Sequence, residues 1–460
     1  MTELRSTSPQ RPDDVVVTLQ AATAADVAAA ADAARGAQSG WAAAPPAVRA
    51  AALGGAADAV EGAAAELTDL VVREVGKPRG EAAGEVGRAV AILRYHAQQV
   101  YDPQGAVHAP SSGGTGLSFT RRRARGVAGL ITPWNFPLAI PLWKAAPALA
   151  FGNAVLLKPA PQATACALRL AELLTPHLPG GLLAVLPGGA EAGAAVVDAA
   201  DVVSFTGSAA VGAGIAVAAT RRGVPVQCEM GGQNPAVVLP DADLERAAGQ
   251  IAAAAFGFAG QKCTATKRVV VLGRVEEFTE ALVAAARALP FGDPADAATL
   301  VGPVVEESAR DRVVAAATGA RSAGGRVLTG GTATGDGGWY VGPTVVDGLP
   351  EDAELLREET FGPICAVVAA DSVADAVRRA NAVRYGLTAA VYTGDLDAAL
   401  QVVDGLAAGQ VKVNAPTTGV DFHLPFGGQR DSSYGAREQG KAAQDFYTSL
   451  HTVTVAPTGR

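Results

Sequence analysis

The chain has 460 residues, 49% of them hydrophobic and 18% charged, a balance typical of a globular enzyme but a length beyond one hydrophobic core, so two or three domains are expected. A net charge of −8 argues against a nucleic-acid partner, which needs a concentrated basic face. The one dense basic run, Arg121-Arg122-Arg123-Ala124-Arg125, is short and reads as a solvated or subunit-contacting strand. In chain order, the opening MTELRSTSPQRPDD is polar and lacks the apolar core of a secretory signal. From about Ala24 to Gln99 the pattern is helical, punctuated by Pro45-Pro46 and Gly76-Lys77-Pro78. Leu117 to Arg125 reads as a strand or extended arm, and Gly126 to Thr132 as a strand ending at the turn Pro133-Trp134-Asn135-Phe136-Pro137. The longest apolar region, Leu138 to Leu157, holds Lys144, Asn153, Pro141 and Pro147, so it reads as buried core and not as a bilayer span. Within it the pattern predicts a helix over Leu142–Phe151 and a strand over Ala154–Lys158, with a further helix from about Ala163 to Leu174.

Strands are then expected at Leu182–Leu186, Val202–Phe205 and Pro225–Cys228, separated by helical or glycine-rich stretches. This rhythm of strand and helix indicates a parallel α/β sheet. After about Gly231 the cycle restarts with Ala236–Leu239, a helix around Leu244–Phe258, Val269–Leu272 and a helix over Glu276–Ala288. It continues through Ala366–Val368 and Ala389–Tyr392 to Val411–Val413, and the tail after His451 alternates like a short strand. Four cysteines, at 166, 228, 263 and 365, are far apart and form no CxxC or Cys/His cluster. No metal site or disulfide framework is expected, and a reducing compartment, the cytoplasm, fits best.

Four local patterns carry chemistry. Cys263, in Ala259-Gly260-Gln261-Lys262-Cys263-Thr264, follows a helix in a turn of small and polar residues, where a thiolate can reach an electrophilic carbon. Glu229 ends an apolar strand before Gly231-Gly232, a placement suited to a general base acting on water. Asn135 sits in a turn made rigid by Pro133 and Pro137, and offers an amide donor to an oxyanion. Phe205-Thr206-Gly207-Ser208, continuing to Gly212, leaves a strand and opens a helix, which suits a pyrophosphate although it is not GxGxxG. Taken singly, each has a plain alternative: a small buried thiol, a capping carboxylate, a turn asparagine, an ordinary strand–helix joint.

Together the patterns resemble the aldehyde dehydrogenase superfamily over nearly the whole chain. The carrying segments are Thr132–Pro137, Gly152-Asn153-Ala154 through Lys158-Pro159, Phe205–Gly212, Glu229–Gly232, Gly260–Cys263, Glu359-Thr360-Phe361-Gly362-Pro363 and Pro425-Phe426-Gly427-Gly428. The resemblance implies an α/β fold with a Rossmann-like cofactor domain (1–105 and 125–231), a second α/β catalytic domain (232–432), a small β oligomerisation arm (106–124 and 448–460) and a return segment (433–447) on the cofactor domain. It implies that Cys263 is the nucleophile, Asn135 and the Cys263 N–H form the oxyanion hole, and Glu229 is the base for deacylation. Glu438 matches a family carboxylate that assists proton movement, with a structural ion pair as its alternative role. Lys158 would meet the adenosine ribose, Ser208 with Gly207 and Gly212 the pyrophosphate, and Glu359 the nicotinamide ribose. Thr132, Pro133, Trp134 and Phe361 would border the cofactor. Phe136, Ile140, Trp143, Gly257 and Phe426 would line the aldehyde tunnel, and a homodimer or homotetramer is expected.

In many NAD-preferring relatives a glutamate lies three positions after the lysine; here that position is Pro161. Without a carboxylate to repel a 2′-phosphate, NADP is favoured and NAD remains open. Ala259–Arg268, Val411–Gly428 and Ser432–Val455 look most like α-ketoglutarate semialdehyde dehydrogenases, which oxidise 2,5-dioxopentanoate. Succinic semialdehyde and aromatic or aliphatic aldehydes stay open, since no arginine clamp is evident. A coenzyme A-acylating enzyme is disfavoured by Glu229, and a non-catalytic binding relative by the presence of Cys263, Glu229 and Asn135 together.

Overall fold

In the computed structural model, which describes residues 2–111, 116–335 and 337–456, the apolar runs become strands that sort into two separate, mainly parallel sheets. The described chain starts with an antiparallel hairpin, β1 (Glu3–Ser8) and β2 (Arg11–Gln20), which the polar first fourteen residues did not announce. Leu4, Ser6 and Ser8 alternate inward, and β1 packs on the third of four helices: α1 (Ala24–Ala43), α2 (Pro46–Gly62), α3 (Ala64–Val75) and α4 (Arg79–Gln99). Thr23 and Asp26 close a reciprocal capping box at the start of α1. Then come β3 (Val107–His108) and β4 (Leu117–Ala124).

The first α/β unit runs β5 (Val127–Thr132), α5 (Ala139–Ala150), β6 (Ala154–Pro159), α6 (Thr164–Leu174), β7 (Leu183–Val185), α7 (Ala190–Ala199), β8 (Val202–Thr206), α8 (Ala209–Arg221) and β9 (Val226–Glu229). Helix α5 begins three residues before the expected Leu142, because Pro141 falls in its first turn, where a backbone N–H has no intrahelical partner to lose. The second unit runs β10 (Asn234–Val238), α9 (Leu244–Phe256), β11 (Thr266–Leu272), α10 (Val275–Ala288), α11 (Glu307–Ser322), β12 (Arg326–Thr329), β13 (Ala333–Thr334), β14 (Tyr340–Val341), β15 (Thr344–Asp347), α12 (Glu354–Arg357), β16 (Ile364–Ala370), α13 (Val373–Ala380), β17 (Thr388–Tyr392), α14 (Leu396–Gly405) and β18 (Gln410–Val413). The chain returns through β19 (Ser433–Tyr434), α15 (Ala442–Tyr447) and β20 (Thr448–Val455).

The first sheet has the order β19-β9-β8-β5-β6-β7, with only β19 antiparallel. Strand order therefore reverses at β5, and the crevice at the carboxyl ends of β5 and β8 is where such sheets bind ligands. Thr132–Trp134 and Thr206–Ser208 leave the sheet at that crevice. The second sheet has the order β12-β15-β16-β11-β10-β17-β18, with β12 antiparallel to β15. Strands β12 and β15 are additions to the sequence reading. A large apolar cluster surrounds the first sheet and α1–α8, and two others cover the faces of the second. Strand β4 pairs with β20 along its whole length and with β3, forming a small separate sheet; the expected arm residues 112–115 and 457–460 lie outside the described residues. Among the described residues no helix is long and apolar enough to cross a membrane.

Candidate active site

The chain passes from the first sheet to the second through a single short joint, Glu229 at the end of β9 to Asn234 at the start of β10. Gly231 allows a close approach there: the Glu359 carboxylate occupies the space a Cβ would need, and Gly232 N–H donates to Glu359 Oε1 at 3.1 Å. Across from this joint lies the loop of Cys263. Its approach is strained, since Phe258 and Ala259 both adopt left-handed backbone (φ 53° and 52°) before Gly260. Non-glycine residues in this region cost about 1–3 kcal/mol each, so the surrounding contacts must hold them.

Those contacts are buried polar groups from several elements. Lys267 Nζ donates to the carbonyls of Gly260 (3.0 Å) and Gly362 (2.7 Å). Asn234 Nδ2 donates to the carbonyls of Cys263 (2.7 Å) and Ala265 (2.8 Å). Gln261 is fully buried, and its amide meets Phe258 and Pro303 carbonyls and the Val305 N–H. The Asn135 amide donates to the Gln261 carbonyl at 2.9 Å, two residues before the cysteine. An amide carries two donor hydrogens, so the second Asn135 N–H remains without a partner among the described residues. The nucleophile candidate and the oxyanion donor are thus tied to one backbone segment.

The electrostatics around the sulfur are acidic. Burial, then the neighbouring Glu359 and Glu229, push the Cys263 thiol up to about 12. Burial raises Glu359 to about 7, and burial together with Glu438 holds Glu229 well above the ordinary carboxylate range. Glu229 is buried; Ser433 Oγ donates to its Oε2 at 2.6 Å, while Oε1 has no partner among the described residues. Glu438 Oε1 is buried against Lys144, Ser204 and Gln227, and Glu438 Oε2 is likewise without a partner. The ion-pair alternative for Glu438 is therefore present in the geometry, and the open oxygen leaves room for proton traffic.

At the carboxyl end of β6, burial lowers Lys158 to about 8, with Nζ donating to the Pro159 and Gly188 carbonyls at 2.9 and 3.0 Å. Pro161 starts the next turn, so no carboxylate stands beside this lysine from that position. Ser208 caps α8, while a side chain at Gly207 would meet the Phe205 ring and one at Gly212 the Met230 Sδ, each at 2.5 Å. Ser208, Glu359 and Phe361 share a cavity of about 730 Å³ with Arg312, Ala316 and Leu355. A buried lysine whose partners among the described residues are carbonyls, a helix N-terminus and a cleft of this size fit a dinucleotide. Trp134 packs edge-on against Phe361 (5.6 Å) and Phe258 (6.4 Å), while Thr132 and Pro133 end β5 at the same crevice. On the opposite side Phe136 lies under Lys77, Trp143 packs on Phe426 at 5.8 Å, and Ile140 and Gly257 are buried. No metal-ligand cluster of three or more His, Cys, Asp or Glu occurs among the described residues.

Sequence reasoning missed Ser433, Asn234, Lys267, the buried pair Lys77–Glu85, and Lys144 as the partner of Glu438. Lys144 did leave a signal, a cation inside the longest apolar run. Ser433 and Asn234 act from more distant points of the chain, whereas Lys77 and Lys267 read as solvated lysines.

Residues 2–453 match the model of the aldehyde dehydrogenase family. The chain is 39% identical to an alpha-ketoglutaric semialdehyde dehydrogenase of Bacillus subtilis strain 168, over 98% of this chain and 94% of that one. It is 41% identical to an alpha-ketoglutarate semialdehyde dehydrogenase of Haloferax volcanii, over 97% and 94%. Among solved structures, that of PnpE in complex with nicotinamide adenine dinucleotide superposes with a TM-score of 0.95 at 34% identity, covering all (100%) of this chain and 95% of that one.

Proposed function

The chain belongs to the aldehyde dehydrogenase family and is an NAD(P)-dependent oxidoreductase acting on aldehydes; from that premise we propose how its own residues divide the work and which aldehyde it takes. The carrying observation is that Asn135, Glu229 and Glu359 all address the one loop that bears Cys263. The Cys263 thiol gives its proton to Glu229, which passes it on to Glu438, as the sulfur attacks the aldehyde carbon, and the Asn135 amide with the Cys263 N–H steadies the oxyanion of the thiohemiacetal. One such donor is worth about 3–4 kcal/mol of barrier. The thiohemiacetal carbon becomes a thioester by losing a hydride, which a bound dinucleotide would accept. Lys158 and Ser208 would hold its adenosine and pyrophosphate parts, and Glu359 its nicotinamide ribose. Glu229 then takes a proton from water, which opens the Cys263 thioester to release the carboxylate, and Glu438 relays that proton. Because burial, then Glu359 and Glu229, hold the resting thiol high, drawing Glu359 towards a ribose would relieve part of the charge facing the sulfur.

For the substrate we infer a semialdehyde acid such as 2,5-dioxopentanoate, supported by the two relatives of that name; succinic semialdehyde and uncharged aldehydes are the alternatives. Pro161 supports NADP over NAD. The β4–β20 sheet, with Leu117, Leu450 and Val455 exposed, supports assembly into a dimer or tetramer, and four free cysteines support the cytoplasm. The deciding experiment follows reduced-cofactor absorbance over a panel of aldehydes with each dinucleotide. Turnover of 2,5-dioxopentanoate with NADP above all other combinations is expected; a preference for apolar aldehydes, or a requirement for coenzyme A, would overturn this assignment.

A further inference from the structure

One face of α4 runs along the aldehyde side of the site and carries Glu81, Glu85, Arg88 and Tyr95, at helical spacings that keep them in line. Glu81 pairs with Lys262, the residue before Cys263, at 2.8 Å. Glu85 Oε1 accepts from the backbone N–H groups of Leu138 (2.9 Å) and Ala139 (3.0 Å), which follow Asn135 and Phe136. Tyr95 packs edge-on against Phe422 at 5.5 Å, in the loop that continues to Phe426. Arg88 therefore lies between the turn bearing Asn135 and the loop 418–426. These are the two segments expected to wall the tunnel.

Arg88 is half-buried, and among the described residues its guanidinium has no hydrogen-bond or ion-pair partner. Every other charge near it is accounted for. Glu85 is spent on Lys77 and two backbone donors. Asp421 faces Arg88 from the loop, but Lys412 faces the same acid and carries a second positive charge. Lys412 is itself held by the Thr418 and Gly419 carbonyls, so it stays where it is. Two cations thus share one free carboxylate. One unmet positive charge remains, at a guanidinium whose planar fork suits a carboxylate.

The geometry points to Arg88, backed by Lys412, as the site that receives the distal carboxylate of a short ω-oxo acid while its aldehyde end meets Cys263. This rests on the semialdehyde-acid reading above and names the residue that would enforce it. The sequence concealed it because Arg88 sits in a helix of ordinary amphipathic pattern.

The test measures kcat/KM of the holoenzyme for 2,5-dioxopentanoate and for pentanal, in the native protein and in Arg88→Leu, Arg88→Lys and Arg88→Glu. Turnover of pentanal normalises for folded enzyme. Loss of a charged hydrogen-bonding partner predicts that Arg88→Leu lowers the acid-to-pentanal ratio on the order of 10–100-fold. The loss should fall chiefly on KM, Arg88→Lys should recover part of it, and Arg88→Glu should lower the ratio further. A native preference for the acid that persists within twofold in both Arg88→Leu and Arg88→Glu would overturn the assignment of Arg88 alone. A native enzyme with no preference for the acid would overturn the semialdehyde-acid reading, and this assignment with it.

Discussion

Two lysine–glutamate pairs are buried beside α5, and they are built differently. In Lys77–Glu85 both carboxylate oxygens are used, one by the ammonium and one by the first N–H groups of α5, while Lys77 Nζ lies 3.7 Å from the Phe136 ring centre and 4.8 Å from that of Phe258. In Lys144–Glu438 three donors converge on one oxygen and leave the other bare. Burial, then that carboxylate, raises Glu229, whose own Oε1 is also unpartnered among the described residues. A closed pair fixes the turn that bears Asn135 and the aromatic approach to Cys263. An open pair keeps a lone pair free for a proton.

The contrast is sharpest against the nucleophile. Cys263→Ala should abolish aldehyde oxidation while leaving the melting temperature, and hence both pairs, close to native; residual turnover above background would remove Cys263 from the chemistry. Glu229→Gln should lower steady turnover by about 10²–10⁴-fold, the usual worth of a positioned base. A burst of one reduced cofactor per site should precede the stall. Lys77→Met leaves Glu85 buried without its cation and should cost about 3–5 kcal/mol of stability, read by chemical denaturation. If Lys77→Met is as stable as the native protein, the closed pair is no scaffold and the comparison fails.

Glu438→Gln tests the open pair by pH. Glu229 must be ionised to act as base, so deacylation rises as pH passes upward through its raised pKa. Removing the Glu438 charge lowers that pKa, so the rising limb should move to lower pH even as the maximal rate falls. A limb that stays in place would assign Glu438 to structure alone. Ser433→Ala should give the smallest effect and the opposite sign. Its hydroxyl favours the ionised Glu229, so its loss should move the limb to higher pH.

How much of this was legible follows from where the information sits. Parallel strands such as Val269–Leu272 and Ala389–Tyr392 are apolar runs buried on both faces, and they announce themselves. Cys263, Glu229 and Asn135 were found because short motifs surround each. The β1–β2 hairpin was hidden because β1 and the start of β2 are polar and the elements that cover β1 come later in the chain. Strands β12 and β15 are four residues each and carry too little periodicity to stand out. Lys77 and Lys267 were missed for a different reason. A lysine is read as solvated, and only assembly of the fold shows that carbonyls, rings and a carboxylate replace its water. Phe258 and Ala259 give no hint of left-handed backbone, since neither residue favours it.

At Gly260 the loop of the sulfur touches the loop of Glu359 main chain to main chain: a Cβ there would overlap the Gly362 carbonyl, and Lys267 bridges the two carbonyls from beneath. The spacing between the sulfur and the loop proposed to hold the nicotinamide ribose is therefore written in peptide units, whereas the proposed aldehyde walls Phe136, Arg88 and Phe426 hang from other segments. Exchanging those walls would change the aldehyde taken without moving the two loops apart.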